Sequence, residues 1–210
     1  MNGRISRIGG RGSLMLRHTY LSLAAALVAG AAVSGVATAR TPMVPGDVDA
    51  SATLTNAQGQ NVGTVHVEND ENGGTEVKIR VTALPPGFHG VHIHDKAVCD
   101  PNAKDPATGS PFFSAGPHLG SGSHPGHTGD LPDLQVRGDG VGQAAYVTDR
   151  FKVEDLLSGG GRSVVVHAKP DNQANIPGRY THSGTAGPDA ETLKAGDSGG
   201  RIACGVFRRD

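Results

Sequence analysis

Two histidines separated by one residue, His92 and His94, have the spacing in this 210-residue chain that most strongly indicates chemistry. They close the run GFHGVHIH, in which Val91 and Ile93 alternate with them. Because alternate side chains of a β-strand lie on one face, a strand here would present both imidazoles together. The spacing therefore predicts half of a metal site on a strand whose other face is apolar. His89 has the opposite parity and is expected to be a structural histidine bonded to backbone.

Two further histidines follow apolar or turn-forming segments. His118 ends the segment SAGPH, and His167 ends the apolar run VVVH. Four imidazoles without a thiolate or a carboxylate suit copper(II) or zinc, and we expect the metal to be redox-active. For any one of these residues, an ordinary surface or core histidine is the alternative.

A second candidate group is His124, His127 and Asp130, in the segment HPGHTGD. Pro125-Gly126 fits the central positions of a type II turn, which would bring the two histidines close together. With His118 shared, three nitrogens and one oxygen form a set that suits structural zinc. The alternative is a solvated loop with spare histidines.

The elements that must position these residues are strands. Apolar and polar residues alternate in about eight segments: 50–57, 62–69, 75–83, 88–94, 134–137, 141–148, 163–168 and 201–208. No convincing amphipathic helix separates them, which predicts an all-β antiparallel sandwich or barrel. The connections 95–133 and 169–200 are long, follow histidine-bearing strands and are expected to be functional.

The N-terminal residues predict export. Residues 1–39 combine four arginines, an apolar run at 21–36 and the small-residue sequence ATA, as in a secretory signal peptide cut after Ala39. The alternative, a retained anchor, needs about 20 apolar residues, more than this run offers. Met15 is an alternative start. Residues 40–49 are predicted to be a flexible lead, and 50–210 a single domain.

The net charge and the two cysteines limit the partners and the cysteine chemistry that the sequence predicts. Four of the 19 basic residues and none of the 20 acidic ones fall in 1–39, so residues 40–210 carry a formal charge of −5. This mildly acidic balance gives no support for nucleic-acid binding. The two cysteines, Cys99 and Cys204, are interpreted as a disulfide in an exported chain, with a metal-ligating cysteine as the alternative.

Together these motifs resemble the copper,zinc superoxide dismutase family in its bacterial exported type, over nearly all of the chain after residue 39. The resemblance lies in GFHGVHIH at 87–94, SAGPH at 114–118, GHTGDL at 126–131, VVVH at 164–167 and GGRIACGV at 199–206. It implies an eight-stranded antiparallel Greek-key barrel, like an immunoglobulin sandwich, with two long functional loops. It also implies dismutation of superoxide to dioxygen and hydrogen peroxide by copper redox cycling, in the periplasm, the cell envelope or outside the cell.

The resemblance also implies a role for each residue. Copper would be held by His92, His94, His118 and His167, and zinc by His118, His124, His127 and Asp130. Arg201 would orient the superoxide anion, and His118 would also carry a proton. Asp171 would link ligand histidines of the two metals, and Cys99 would pair with Cys204. The protein would protect the envelope from oxidative damage, with no membrane span after signal cleavage.

Three alternatives stay open at this point. The interval from His118 to His127 is shorter than the family's usual zinc loop, so a copper-only site is one of them. An exported copper-buffering protein on the same barrel is the second. A zinc hydrolase is the third, although the sequence contains no HExxH helix.

Overall fold

The computed structural model describes residues 49–210. Alternation along the strands follows the predicted pattern. In the segment 75–81, Val77, Ile79 and Val81 are buried, while Lys78 and Arg80 are exposed. This is the burial expected of a strand with one face on a core and one face toward water.

The strands have the following bounds: β1 Asp49–Asn56, β2 Asn61–Asn69, β3 Thr75–Val81, β4 Gly87–His89, β5 Val91–His94, β6 Leu134–Val136, β7 Gly142–Thr148, β8 Ser163–His167, β9 Thr181–His182, β10 Thr185–Ala186, β11 Arg201–Val206 and β12 Arg208–Arg209. Two short helices, α1 Val153–Leu157 and α2 Thr192–Ala195, and a 3₁₀ turn at Phe113–Ala115 complete the described elements.

One antiparallel sheet contains all the strands except the β9–β10 hairpin. Its order is β4-β6-β7-β3-β2-β1-β11-β8-β5, and β12 pairs with β1. The two edges of this order, β4 and β5, are consecutive in the chain, so the sheet curls into a nearly closed barrel. The predicted all-β antiparallel barrel is confirmed.

Gly90 corrects one predicted element. The segment 88–94 was expected to be a single strand, but β4 and β5 flank Gly90 and pair with different partners, β6 and β8. The backbone N–H of Gly90 donates to Lys169 O, and its carbonyl accepts from His167 N. A Cβ at this position would lie 2.9 Å from the Ser198 Cβ, so only glycine fits this close approach.

The second long connection is more structured than expected. It contains the β9–β10 hairpin and α2, neither of which the sequence pattern indicated. Strand pairs of two residues are too short to show a two-residue period, which explains why they were missed.

The barrel interior is aliphatic. Valine and leucine side chains from β1, β2, β3 and β8 form the main core, and each fully buried one contributes about 1.5–3 kcal/mol. A smaller cluster holds Phe112 and Ala115 against Val165 and Cys204. Cys99 is bonded to Cys204 with a Cα–Cα distance of 5.6 Å, as predicted, which ties the 95–133 connection to β11 and excludes either cysteine as a metal ligand.

Predictions for the N-terminus fall outside this structure. The signal peptide at 1–39 and all but the last residue of the lead at 40–49 precede the described residues. Within residues 49–210, no helix has the length and apolar character needed to cross a membrane.

Candidate metal centre

The four histidines of the first predicted group meet in one place. His92 and His94 lie on β5, His167 ends the neighbouring β8, and His118 pairs with His94 through an isolated bridge. One ring nitrogen from each lies within 4.8 Å of the others, and all four residues are buried. The ring centroids of His92 and His118 are 3.9 Å apart, and those of His92 and His167 are 4.8 Å apart.

Each imidazole on β5 and β8 has one nitrogen held and the other free. The held nitrogens are His92 Nε2 on Asp171 Oδ2 at 2.8 Å, His94 Nδ1 on Gly116 O at 2.9 Å and His167 Nδ1 on Gly199 O at 3.0 Å. The opposite nitrogens, His92 Nδ1, His94 Nε2 and His167 Nε2, are buried without a hydrogen-bond partner. Buried polar atoms are rarely orphaned, and a fixed ring with one free nitrogen is the arrangement of a metal ligand. The residues therefore fit a copper ion.

Burial keeps these rings neutral. It lowers the pKa of His92 and of His94 well below the ordinary histidine value, and it lowers the pKa of His167 to about 3. The pKa of His118 is lowered for the same reason, although its hydrogen bond to Asp130 opposes the shift. Neutral imidazoles bind a metal without first releasing a proton.

The second predicted group gathers around one carboxylate. Asp130 Oδ1 lies 2.8 Å from His118 Nδ1, and Asp130 Oδ2 lies 3.1 Å from His124 Nδ1 and 3.2 Å from His127 Nδ1. The last two nitrogens are buried without hydrogen-bond partners. Burial alone would raise the pKa of Asp130, but the hydrogen bond from His118 and the surrounding imidazoles lower it to about 2. Three nitrogens around an ionised oxygen donor fit tetrahedral zinc.

His127 is the outermost member of this group. The set of ligand atoms that all lie within 4.8 Å of one another joins His118, His124 and Asp130 with His92 rather than with His127. His92 enters that set because its ring stacks on His118. The Nδ1 of His127 lies 3.2 Å from Asp130 Oδ2, and its ring centroid lies 5.3 Å from that of His118.

The turn that carries His124 and His127 differs from the prediction. The His124–Pro125 peptide bond is cis, and Gly126 N donates to Ser123 O at 2.8 Å. The hydrogen-bonded turn is therefore Ser123–Gly126, with proline in its third position, and not a type II turn from 124 to 127. The two imidazole centroids nevertheless lie 5.9 Å apart, so the expected proximity is present.

Asp171 connects the two groups. Its Oδ2 accepts from His92 Nε2 at 2.8 Å, and its Oδ1 accepts from His124 Nε2 at 2.7 Å. The Asp171 backbone N–H donates to Asp133 Oδ1 at 3.0 Å, a contact that sequence reasoning missed. The Gly196 backbone lies close to the same carboxylate: a Cβ added there would lie 1.8 Å from Asp171 Oδ1.

Arg201 lies beside the histidines and lines an open cleft. The cleft has a volume of about 670 Å³, and His118, His167 and Arg201 share its wall with Lys169 and Lys194. Burial lowers the pKa of Arg201, but a guanidinium still stays charged at any physiological pH. The cleft thus presents a fixed positive charge beside two of the candidate ligands.

Two backbone carbonyls fix the orientation of the Arg201 guanidinium. Arg201 Nη1 donates to Phe112 O and Nη2 to Gly116 O, each at 2.6 Å. Its backbone N–H donates to Ser110 Oγ at 2.7 Å. Sequence reasoning found Arg201 but not these partners, because a carbonyl acceptor belongs to every residue and leaves no signal in the sequence.

Comparisons with known proteins agree with this geometry. The family model described as copper/zinc superoxide dismutase (SODC) matches residues 61–207. A superoxide dismutase [Cu-Zn] of Mycobacterium tuberculosis (strain ATCC 25618 / H37Rv) is 46% identical over 175 residues, which cover 78% of this chain and 71% of that protein. One from Escherichia coli (strain K12) is 35% identical over 158 residues, which cover 71% of this chain and 80% of that protein. The solved Cu/Zn superoxide dismutase from Brucella abortus superposes with a TM-score of 0.57 at 27% identity, covering 75% of this chain and 98% of that one.

Proposed function

The chain belongs to the copper/zinc superoxide dismutase family and is a superoxide dismutase, and from this premise we propose which residues hold its metals and guide its substrate. Copper is held by the cluster His92, His94, His118 and His167. The single observation that carries the assignment is that three of these clustered rings each keep a buried nitrogen without a hydrogen-bond partner. When bound, copper supplies the one-electron chemistry that oxidises one superoxide to dioxygen and reduces another to hydrogen peroxide.

We propose that zinc occupies the second group, His118, His124, His127 and Asp130. Two buried Nδ1 atoms without partners, beside a carboxylate kept ionised, would leave a copper-only protein with uncompensated buried polar groups. This favours a zinc-containing enzyme over the copper-only alternative, despite the short interval between His118 and His127.

The protein's own groups bind the anion and move protons. Arg201 offers a charge-assisted hydrogen bond to superoxide in the cleft, held in place by the carbonyls of Phe112 and Gly116. His118 belongs to both groups, so one of its nitrogens can hold a proton for the leaving peroxide while the other stays on the Asp130 side. Asp171 fixes His92 and His124 together, which couples the geometries of the two groups.

Export is part of the same proposal. We propose that residues 1–39 act as a signal peptide, 40–49 as a lead segment and 50–210 as the enzyme domain, outside the cytoplasm. The disulfide supports this, since such bonds persist in oxidising compartments. An exported dismutase would protect the envelope from oxidative damage. N-terminal sequencing of the protein from the extracytoplasmic fraction tests the cut after Ala39, and a retained Met1 or Met15 would contradict it.

The ligand assignment is tested by metal analysis together with a superoxide-consumption assay. We expect His92→Ala to lose copper and activity. His182→Ala is the matched control, because His182 is exposed on β9 and, within residues 49–210, forms an ion pair with Asp189 alone. A copper-loaded, active His92→Ala protein would refute the assignment. Wild-type protein that binds copper without consuming superoxide would favour the copper-buffering alternative.

A further inference from the structure

Arg150 reaches from the barrel to the turn that carries two of the proposed zinc ligands. It lies between β7 and α1, outside both histidine groups, and its side chain is exposed. One nitrogen, Nη1, donates to Pro125 O at 3.0 Å and to His127 O at 2.8 Å. Each hydrogen of that nitrogen therefore has a separate carbonyl in the same turn.

His124 and His127 are attached to the rest of the protein in different ways. His124 is fixed by its backbone N–H on Leu193 O and by its Nε2 on Asp171 Oδ1. Within residues 49–210, the hydrogen bonds of His127 run through its backbone N–H and carbonyl, whereas a ligand histidine usually also donates its second ring N–H to a protein acceptor. The direction of the His127 ring is therefore set through its backbone.

Two groups hold that backbone. The His127 N–H donates to Asp130 Oδ2 at 2.9 Å, and the His127 carbonyl accepts from Asp130 N at 3.2 Å and from Arg150. Asp130 belongs to the same long connection, 95–133, as His127. Arg150 belongs to the connection between β7 and α1, so its bond to the His127 carbonyl links that loop to another part of the chain.

We propose that Arg150 is a positioning residue for zinc: it fixes the turn 124–127 so that His127 completes the zinc ligand set. This inference rests on the proposed zinc site and deepens it. A planar, permanently charged guanidinium suits the task, because it holds two carbonyls in a fixed geometry with charge-assisted bonds.

Charge and positioning predict opposite changes in zinc affinity when Arg150 is removed. A guanidinium near a zinc site repels the cation, so on charge alone its removal would tighten zinc binding. Positioning has the opposite effect, because a loosened His127 weakens the ligand set. Outer groups that orient metal ligands typically change metal affinity by about 10- to 100-fold. We expect Arg150→Ala to weaken zinc binding by about 10-fold.

The experiment uses copper-loaded, zinc-free protein titrated with Zn²⁺ against a chromophoric chelator. Arg150→Ala is compared with wild type, with Arg150→Lys and with Arg137→Ala, which removes the same charge from an exposed ion pair with Asp139. We expect unchanged copper content in all four, weaker zinc binding in Arg150→Ala, an intermediate value in Arg150→Lys and wild-type zinc affinity in Arg137→Ala. As a second readout, Co²⁺ in place of Zn²⁺ should show weaker tetrahedral d–d absorption in Arg150→Ala.

The possible failures are distinct. If wild type binds zinc and Arg150→Ala binds it equally well or more tightly, the inference is overturned and the proposed zinc site stands. If copper-loaded wild type takes up no zinc, both are overturned. If Arg150→Ala fails to fold, as judged by circular dichroism, Arg150→Lys decides the matter, and wild-type zinc affinity in that variant overturns the inference.

Discussion

Gly196 is the position where adding a single methyl group should most selectively disturb the metal centre. A Cβ there would lie 1.8 Å from Asp171 Oδ1 and 2.8 Å from His124 Nε2, and the residue has a φ of +56°. We expect Gly196→Ala to displace the carboxylate that links the two histidine groups and so to lower both stability and metal affinity.

The magnitude has two parts. A left-handed backbone costs an alanine about 1–2 kcal/mol. Displacing Asp171 also breaks its hydrogen bonds to His92 and His124, and each bond to a charged group contributes about 1.5–3 kcal/mol. The total is about 4–8 kcal/mol for Gly196→Ala.

Gly184 provides the matched control. Its φ is +81°, yet no atom lies within 4 Å of a Cβ built there. Gly184→Ala should therefore show only the backbone part, about 1–2 kcal/mol. The assay is urea unfolding of the metal-free, disulfide-bonded proteins, followed by copper and zinc titration of each. Stabilities of the two variants within about 1 kcal/mol of each other would refute the reasoning.

Two further predictions concern charge and pH. Arg201→Ala should keep its copper but lose about 10- to 100-fold in kcat/KM, as expected for one hydrogen bond from a charged group, and its rate should depend less on ionic strength. Stopped-flow superoxide consumption measures this, with Arg137→Ala as a control, and unchanged kinetics would remove Arg201 from the site. The metal-free protein should lose stability as the pH falls, because burial lowers the pKa of His167 from 6.5 to about 3 and the unfolded chain then binds the extra proton. This group alone should cost about 2 kcal/mol between pH 7 and pH 5, and equal urea midpoints at these two pH values would contradict the assignment of a buried, neutral imidazole.

The parts of the site that depend on side-chain type and parity could be predicted from the sequence. His92 and His94 alternate with aliphatic residues, and because β5 pairs with β8, which ends at His167, both rings lie near the His167 ring. His89 was expected to bond to backbone, and it contacts the carbonyls of His167 and Pro85. These features follow from the two-residue period of a strand.

The parts that depend on backbone groups could not be predicted. The carbonyls of Phe112 and Gly116 that aim Arg201, and the carbonyl of His127 that Arg150 contacts, have no signature in residue type. The cis bond before Pro125 was equally invisible, because the two isomers of an X–Pro bond differ by only about 0.5–1 kcal/mol in an unstructured chain. Tertiary contacts decide such features.

The break at Gly90 has a consequence for the way mutations act on this enzyme. This one residue joins the two edges of the sheet, and a side chain there would meet both the Ser198 Cβ and, at 3.2 Å, the His92 ring. The junction of the two sheet edges, the seam of the barrel, and the packing around the copper ligand His92 thus involve the same residue, Gly90. Architecture and chemistry cannot be altered independently at this point, so a variant that opens the seam would also be a metal-deficient one.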